Sequence, residues 1–286
     1  MENLSVRFSL REIFMKLIVE KKSCDVKNWN GLYEWLLGNI GEKWPSRVFE
    51  EIEKRKNKYK SRKDIFKSEE LFKQSLWSSL VMGLVSSQQK MDDDSPARNL
   101  IAVCEVKTPE GFAGMSESEF LKIGGDKIRM KSKVFDKLHR AAEKIKNLGV
   151  GRLMNDLKDL ADEEVNCEVR LGVERRCADL LREEFFGIGL KQSRNVLLYM
   201  GLTRFVVPLD SRVLNSLNKM GLETKLGASA FQDKEIYLLF EDLIFSLCRE
   251  MKAGILPYEF DALCFVGYES VLEYCRLPKL EMKEKG

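Results

Sequence analysis

FFGIGLKQSRNVLLYMGLTRFVVPLDSRVLNSL, residues 185–217, is the stretch whose reading decides the fold. Gly187 and Gly189 bracket one apolar residue, Ile188. Glycines so placed allow positive φ and close backbone approach. Apolar residues then recur at helical spacing over Gln192–Met200, and Gly201 supplies a C-terminal stop. An amphipathic segment, Val173–Glu184, precedes the glycines. The reading is therefore two helices joined by a tight hairpin. The first amides of a helix have no partner within it. A helix start of this kind suits an anion, and a phosphate fits it. Such a hairpin can hold a DNA strand without reading its bases. A plain helix–helix turn that happens to use glycine is the alternative.

Two side chains mark this stretch further. Lys191 falls in the first turn of the second helix, where the positive end of the helix dipole disfavours an ammonium. A neutral lysine is a nucleophile that can form a Schiff base; a surface lysine binding phosphate is the plainer reading. Asp210 follows Val207-Pro208-Leu209 and precedes an apolar-periodic segment, Ser211–Met220, so it reads as an N-cap. A carboxylate there can also stabilise a cationic sugar, as in glycoside hydrolysis.

Working outward, the chain reads as almost wholly helical. Capping patterns open segments near Ser9, Ser68, Ser95 and Ser116, with others over Trp29–Ile40, from Pro45 to about Lys60, and from Arg152 to Leu160. Lys131–Leu148 is strongly amphipathic and ends at Gly149; Asp233–Lys252 and a last helix from Pro257 to about Phe265 follow. Leu202–Leu209 reads as extended but is short and alone. Met200 and Phe245 read as core.

The 286 residues are 44% hydrophobic, enough to bury a core. No apolar run spans a bilayer, and the charged N-terminus, MENLSVRFSLREIF, does not read as a secretory signal. Seven cysteines without CxxC spacing predict free thiols in a reducing, cytoplasmic compartment. Net charge is only +3, but basic residues cluster: eight Lys or Arg lie between Lys54 and Lys67, and eight between Asp126 and Lys146. Such clusters can meet a phosphate backbone, or can be solvated helix faces. His139 is the only histidine, so a His/Cys zinc site has little to draw on; it reads as an exposed helix position.

The combination of Gly187, Gly189, Lys191, Val207, Pro208 and Asp210 resembles the helix-hairpin-helix DNA glycosylases, the superfamily containing endonuclease III and 8-oxoguanine DNA glycosylase. The nineteen-residue step from Lys191 to Asp210 is similar to that of the lysine-bearing, bifunctional members. SSLVMGLVSSQQ, residues 78–89, resembles the family's first barrel helix, and IRMKSKVFDKLHRAAEKI the helix leading toward the hairpin. The likeness covers about residues 76–217.

The resemblance implies an all-α protein of two helical domains with a helix-hairpin-helix motif and a DNA cleft between them. On this reading residues 71–210 form a six-helix barrel with the motif at about 174–200, and 1–70 pack with 211–286. Polar residues 61–67 suggest a boundary. Lys191 would be the nucleophile and Asp210 its electrostatic partner. Gln88, with Gln89 second, would fill the gap left by an extruded nucleotide. Gly187, Ile188, Gly189, Lys131, Lys133 and Arg212 would contact DNA. The stretch LPYEFDALCFVGYES is similar to the ending of small archaeal 8-oxoguanine glycosylases and would bring Phe260, Asp261 and Phe265 to the base pocket. A structural sodium or potassium ion would sit on the carbonyls of Phe185 and Ile188, with no cofactor required. Cys248, Cys264 and Cys275, spaced sixteen and eleven apart, do not match the family's iron–sulfur loop. The implied partner is double-stranded DNA with a damaged base, bound by a monomer that is nucleoid-associated if prokaryotic. The implied reaction is release of an oxidised base, 8-oxoguanine preferred, followed by strand cleavage. An oxidised-pyrimidine glycosylase/lyase and a non-catalytic DNA-binding module are the alternatives.

Overall fold

The computed structural model of the chain describes residues 47–86, 95–161, 166–218, 226–250 and 255–266. Among the described residues there are helices and irregular connections, and no strand. Twelve α-helices follow in order. They are α1 Arg47–Lys60, α2 Glu69–Val85, α3 Pro96–Val106, α4 Pro109–Ala113, α5 Glu117–Lys122, α6 Lys131–Leu148, α7 Gly151–Leu157, α8 Cys167–Glu184, α9 Leu190–Met200, α10 Ser211–Leu217, α11 Lys234–Glu250 and α12 Pro257–Val266. The segments read near Ser9 and over Trp29–Ile40 lie outside the described residues.

Capping chemistry sets most of the starts. Ser68, Ser95 and Thr108 each accept an amide three residues on, at 3.2 Å. Pro96 and Pro109 fill first-turn positions that need no amide. Ser116 and Glu119 form a reciprocal capping box at α5. α4 is absent from the sequence reading because five residues carry no usable periodicity. α8 begins at Cys167 under an Asn166 cap, six residues before the expected Val173. Gly172 interrupts its pattern, and the buried Arg170–Glu174 pair holds that turn helical instead.

The chain divides into two compact units, Lys54–Pro208 and Met1–Glu53 with Leu209–Gly286. The first boundary lies within α1 rather than near residue 70. The physical reason is the segment after α1. Arg62 is buried and donates to the carbonyls of Tyr59 (2.8 Å) and Leu160 (3.3 Å). The Phe66 ring lies 5.6 Å from Phe72 of α2. These contacts bind the basic stretch to the unit that follows it.

In the unit Lys54–Pro208, α2 is the central helix, apolar nearly all round and packed against α3, α6 and α9. Trp77 anchors one side, its Nε1 donating to the Lys107 carbonyl at 2.8 Å and its ring 5.3 Å from Phe112. Phe120 and Phe135 extend that cluster to α5 and α6. On the other side Gly83 faces α9, where an added Cβ would meet Val196 Cγ2 at 3.6 Å, an ordinary packing distance. In the other unit, α12 packs on α10 and α11, with Tyr237, Phe240, Leu263 and Cys264 buried.

The segment 202–209 is no strand, although every residue of it but Arg204 is buried. Buried backbone amides need acceptors, and here a side chain provides them. The fully buried Glu174 carboxylate accepts from the amides of Arg204 (3.0 Å), Phe205 (2.8 Å) and Val206 (3.0 Å), and from the Thr203 hydroxyl. Arg170 Nε donates to Glu174 at 3.2 Å, and the same guanidinium donates to the carbonyls of Asp159, Leu160 and Leu202. A carboxylate thus does for this segment what a neighbouring strand would do elsewhere.

Candidate nucleic-acid interface and reaction site

The connection between α8 and α9 is a tight turn followed by an extended glycine. Ile188 donates its amide to the Phe185 carbonyl at 3.2 Å. Gly187, third in that turn, has φ +77°. That arrangement is a type II turn, whose third position favours glycine. A carbonyl oxygen has two lone pairs, so this bond at Phe185 is compatible with a cation on the same oxygen. Ile188 is buried, which fixes the turn to the unit.

Gly189 is extended, at φ −93° and ψ −173°, and is the N-cap of α9. Having no side chain, it cannot cap the helix. A Cβ there would lie 2.8 Å from Gln192 Oε1, so the glycine makes room for Gln192 to fold back over the helix start. α9 begins at Leu190, two residues before the Gln192 expected, because the Gly189 carbonyl already accepts the Ser193 amide (3.0 Å). Lys191 is the second residue of the helix and half-buried. Ser193 Oγ donates to the Leu190 carbonyl at 2.9 Å, and the buried Arg194 reaches Ser193 Oγ at 3.3 Å and Asp179 of α8 at 4.0 Å. These polar ties set the first turn of α9 against α8.

α6 lies beside the turn. The Lys137 stem crosses Gly187, its methylenes occupying the place where a Cβ of residue 187 would stand. The Arg140 guanidinium lies over the Phe186 ring at 4.5 Å, and Phe186 is 57% exposed. Lys144 pairs with Glu184 at 2.5 Å. Lys131 and Lys133 are both exposed. At about 100° per residue they stand some 160° apart around α6, so only Lys133 shares the side that bears Lys137 and Arg140.

Asp210 belongs to the other unit and acts there as the sequence predicts of a cap. Its Oδ1 accepts the amides of Arg212 (2.8 Å) and Val213 (3.3 Å) at the start of α10. Just before it, the Leu209 amide donates to the buried Tyr237 hydroxyl at 2.8 Å. The Arg212 guanidinium lies 4.3 Å over the Phe265 ring. Of the three expected pocket residues, Phe265 is 46% exposed, whereas Phe260 and Asp261 are each only 4% exposed. Gln88, Gln89 and Cys275 lie outside the described residues.

His139 is half-buried rather than exposed. Its ring lies 5.4 Å from Phe135 at a tilt of 42° and faces Glu143. Met200 and Phe245 are core residues. Burial pushes the thiols of Cys248 and Cys264 well above the usual range, and that of Cys177 up to about 12; protonated thiols of this kind are inert. Among the described residues, no group of three or more His, Cys, Asp or Glu could hold a metal ion, and no helix is long and apolar enough to cross a membrane.

The sequence reading does not single out Lys137, Arg140, Phe186 or Glu174. The i, i+4, i+7, i+11 spacing of Lys133, Lys137, Arg140 and Lys144 is the signal that could have found the basic stripe. That this stripe meets the glycine turn is visible only in three dimensions. Comparison with protein-family models, with curated proteins and with solved structures finds no match.

Proposed function

We propose that this chain is a base-excision DNA glycosylase with abasic-site lyase activity, acting on duplex DNA that carries an oxidised base, with 8-oxoguanine as the preferred lesion. The observation that carries the reading is the pair of marked helix starts: Lys191 behind the glycine turn at α9, and Asp210 bound by two amides at α10. The basic side of α6 beside the turn, with the exposed Phe186, supports a phosphate-backbone partner.

The damaged nucleotide leaves the stack, because its sugar cannot be reached within a duplex. The Lys191 amine attacks the anomeric carbon. The bond to the base breaks, and the base departs with the electron pair and takes up a proton. Asp210 steadies the positive charge that develops on the sugar. Opening of the sugar ring leaves an iminium between Lys191 and the carbon. Loss of a proton from the neighbouring carbon then expels the 3′ phosphate and nicks the strand. A monovalent cation on the Phe185 and Ile188 carbonyls would stiffen the turn.

The test is borohydride trapping on a duplex with one 8-oxoguanine opposite cytosine. A covalent adduct is expected with the wild-type chain and none with Lys191→Gln. Trapping only on abasic or oxidised-pyrimidine duplexes would replace the lesion and keep the class. No adduct on any of them, with duplex binding intact, would leave a non-catalytic DNA-binding module.

A further inference from the structure

We infer that one side of α6, bearing Lys133, Lys137 and Arg140, is a phosphate-binding track that continues the glycine turn and holds the backbone of one DNA strand; this rests on the DNA reading above. Three observations carry it. The first is register. At about 100° per residue the three side chains, with Lys144, fall within some 60° of one another on the helix. Lys133 to Arg140 spans roughly 10 Å of helix axis at about 1.5 Å per residue.

The second is how the track meets the turn. Along α6, Lys144 faces Glu184, Arg140 faces Phe186 and Lys137 crosses Gly187. The two segments therefore run side by side in opposite directions, and Lys133 lies beyond the turn on the same line. Gly187 has a positive φ and no side chain, and the Lys137 methylenes fill that space. The glycine does two things at once: it permits the turn, and it lets a lysine stem lie flat across it.

The third is charge. Lys133 and Lys137 make no ion pair among the described residues, whereas Lys144 is neutralised by Glu184 and Arg140 by Asp136 at 2.8 Å. The Arg140–Asp136 pair is exposed and can exchange for a phosphate at little cost. Phe186, exposed beneath the guanidinium, keeps Arg140 at the turn. A face with cations in line beside an exposed aromatic suits the phosphate backbone of a strand.

The experiment measures affinity for a 20-base-pair duplex containing a tetrahydrofuran abasic analogue across a series of salt concentrations. Each phosphate that the protein no longer neutralises lowers the magnitude of the log–log salt slope by about 0.9. Lys137→Gln with Arg140→Gln is expected to lower it by about 1.8 and to weaken binding on the order of tenfold or more near physiological salt. Lys137→Arg keeps the charge and is expected to keep the slope, which separates charge from packing on Gly187. Lys146→Gln is the control on the same helix, about 180° from Lys137, and should leave both quantities as in wild type. An unchanged slope in the double variant overturns the track, as does an equal loss in Lys146→Gln or in Lys137→Arg. A wild-type chain that binds no duplex overturns the DNA reading itself, and the track with it; a wild-type chain that binds, with an unchanged double variant, overturns the track alone.

Discussion

The starts of α9 and α10 solve the same problem in opposite ways. α10 begins with a carboxylate that accepts two of its own amides, so Asp210 answers the positive end of its helix from within. α9 begins with a glycine that has no side chain to offer, and a lysine rather than a carboxylate occupies its first turn. The first arrangement stabilises its own helix. The second has no capping carboxylate, and the Gln192 side chain folds back over the helix start instead. The difference is one of charge: at α9 a cation stands near the positive end, and at α10 a carboxylate offsets it.

The largest effect expected separates these two starts. Lys191→Gln should lower borohydride trapping on the order of a thousandfold or more with little change in the urea midpoint. Asp210→Asn, which keeps a capping oxygen, should slow base release by about a hundredfold and leave the fold intact. Equal residual activity in both variants would break the distinction between nucleophile and electrostatic partner.

Next in size is the support behind α9. Glu174→Ala removes the acceptor of three amides and the counter-charge of the buried Arg170, which keeps its carbonyl partners, and should cost about 3–5 kcal/mol by urea unfolding. A loss under about 1 kcal/mol would mean that water replaces the carboxylate, and that the 202–209 segment holds itself.

The two glycines of the turn should then differ from each other. Gly187→Ala forces a side chain into positive φ and against the Lys137 stem, costing about 1–2 kcal/mol. Gly189→Ala needs only that the Gln192 amide swing away, so its cost should stay below about 0.5 kcal/mol. Removing the cap at the other start, Asp210→Ala, should cost about 1 kcal/mol, and Asp210→Asn only a few tenths. If Asp210→Ala cost nothing, the contrast between a carboxylate-capped start and a glycine start would fail.

The smallest effect is a control at a third start. Glu110, in the first turn of α4, is held below the usual carboxylate range chiefly by its hydrogen bond to Lys73, whose own ammonium is raised in turn. Because the folded value lies below the unfolded one, this contribution is complete above the ordinary glutamate value and is lost as pH falls through the lowered folded value. Glu110 is 42% exposed, so solvent screening keeps the effect below about 1 kcal/mol. The urea midpoint of wild type should exceed that of Glu110→Gln at about pH 7, and the gap should close near pH 3.

Much of the fold is legible in the chain. Lys131–Leu148, with its charged and apolar sides and terminal Gly149, has the same bounds in sequence and structure. The Ser68, Ser95, Ser116 and Asp210 caps are readable because capping involves only one side chain and the next turn. α8 reads short because Gly172 and its flanking charges look like a break, and the pair that rescues the turn is buried only once α8 packs. The segment 202–209 reads as extended because its residues are apolar; no local pattern shows that a carboxylate some thirty residues earlier accepts its amides.

The sequence by itself determined the helical class, the glycine turn before Lys191 and the aspartate at a helix start, since periodicity, φ preference and capping act within a few residues. Only the tertiary structure decided that Glu174 would replace a strand for the buried segment, that the first boundary would fall within α1, and that Lys137 and Arg140 rather than Lys131 would flank the turn. The reason is physical. Periodicity says which residues share a side of a helix, but which neighbour that side meets depends on how whole helices pack, through approaches such as the Lys137 stem across Gly187 and polar ties such as Arg194–Asp179.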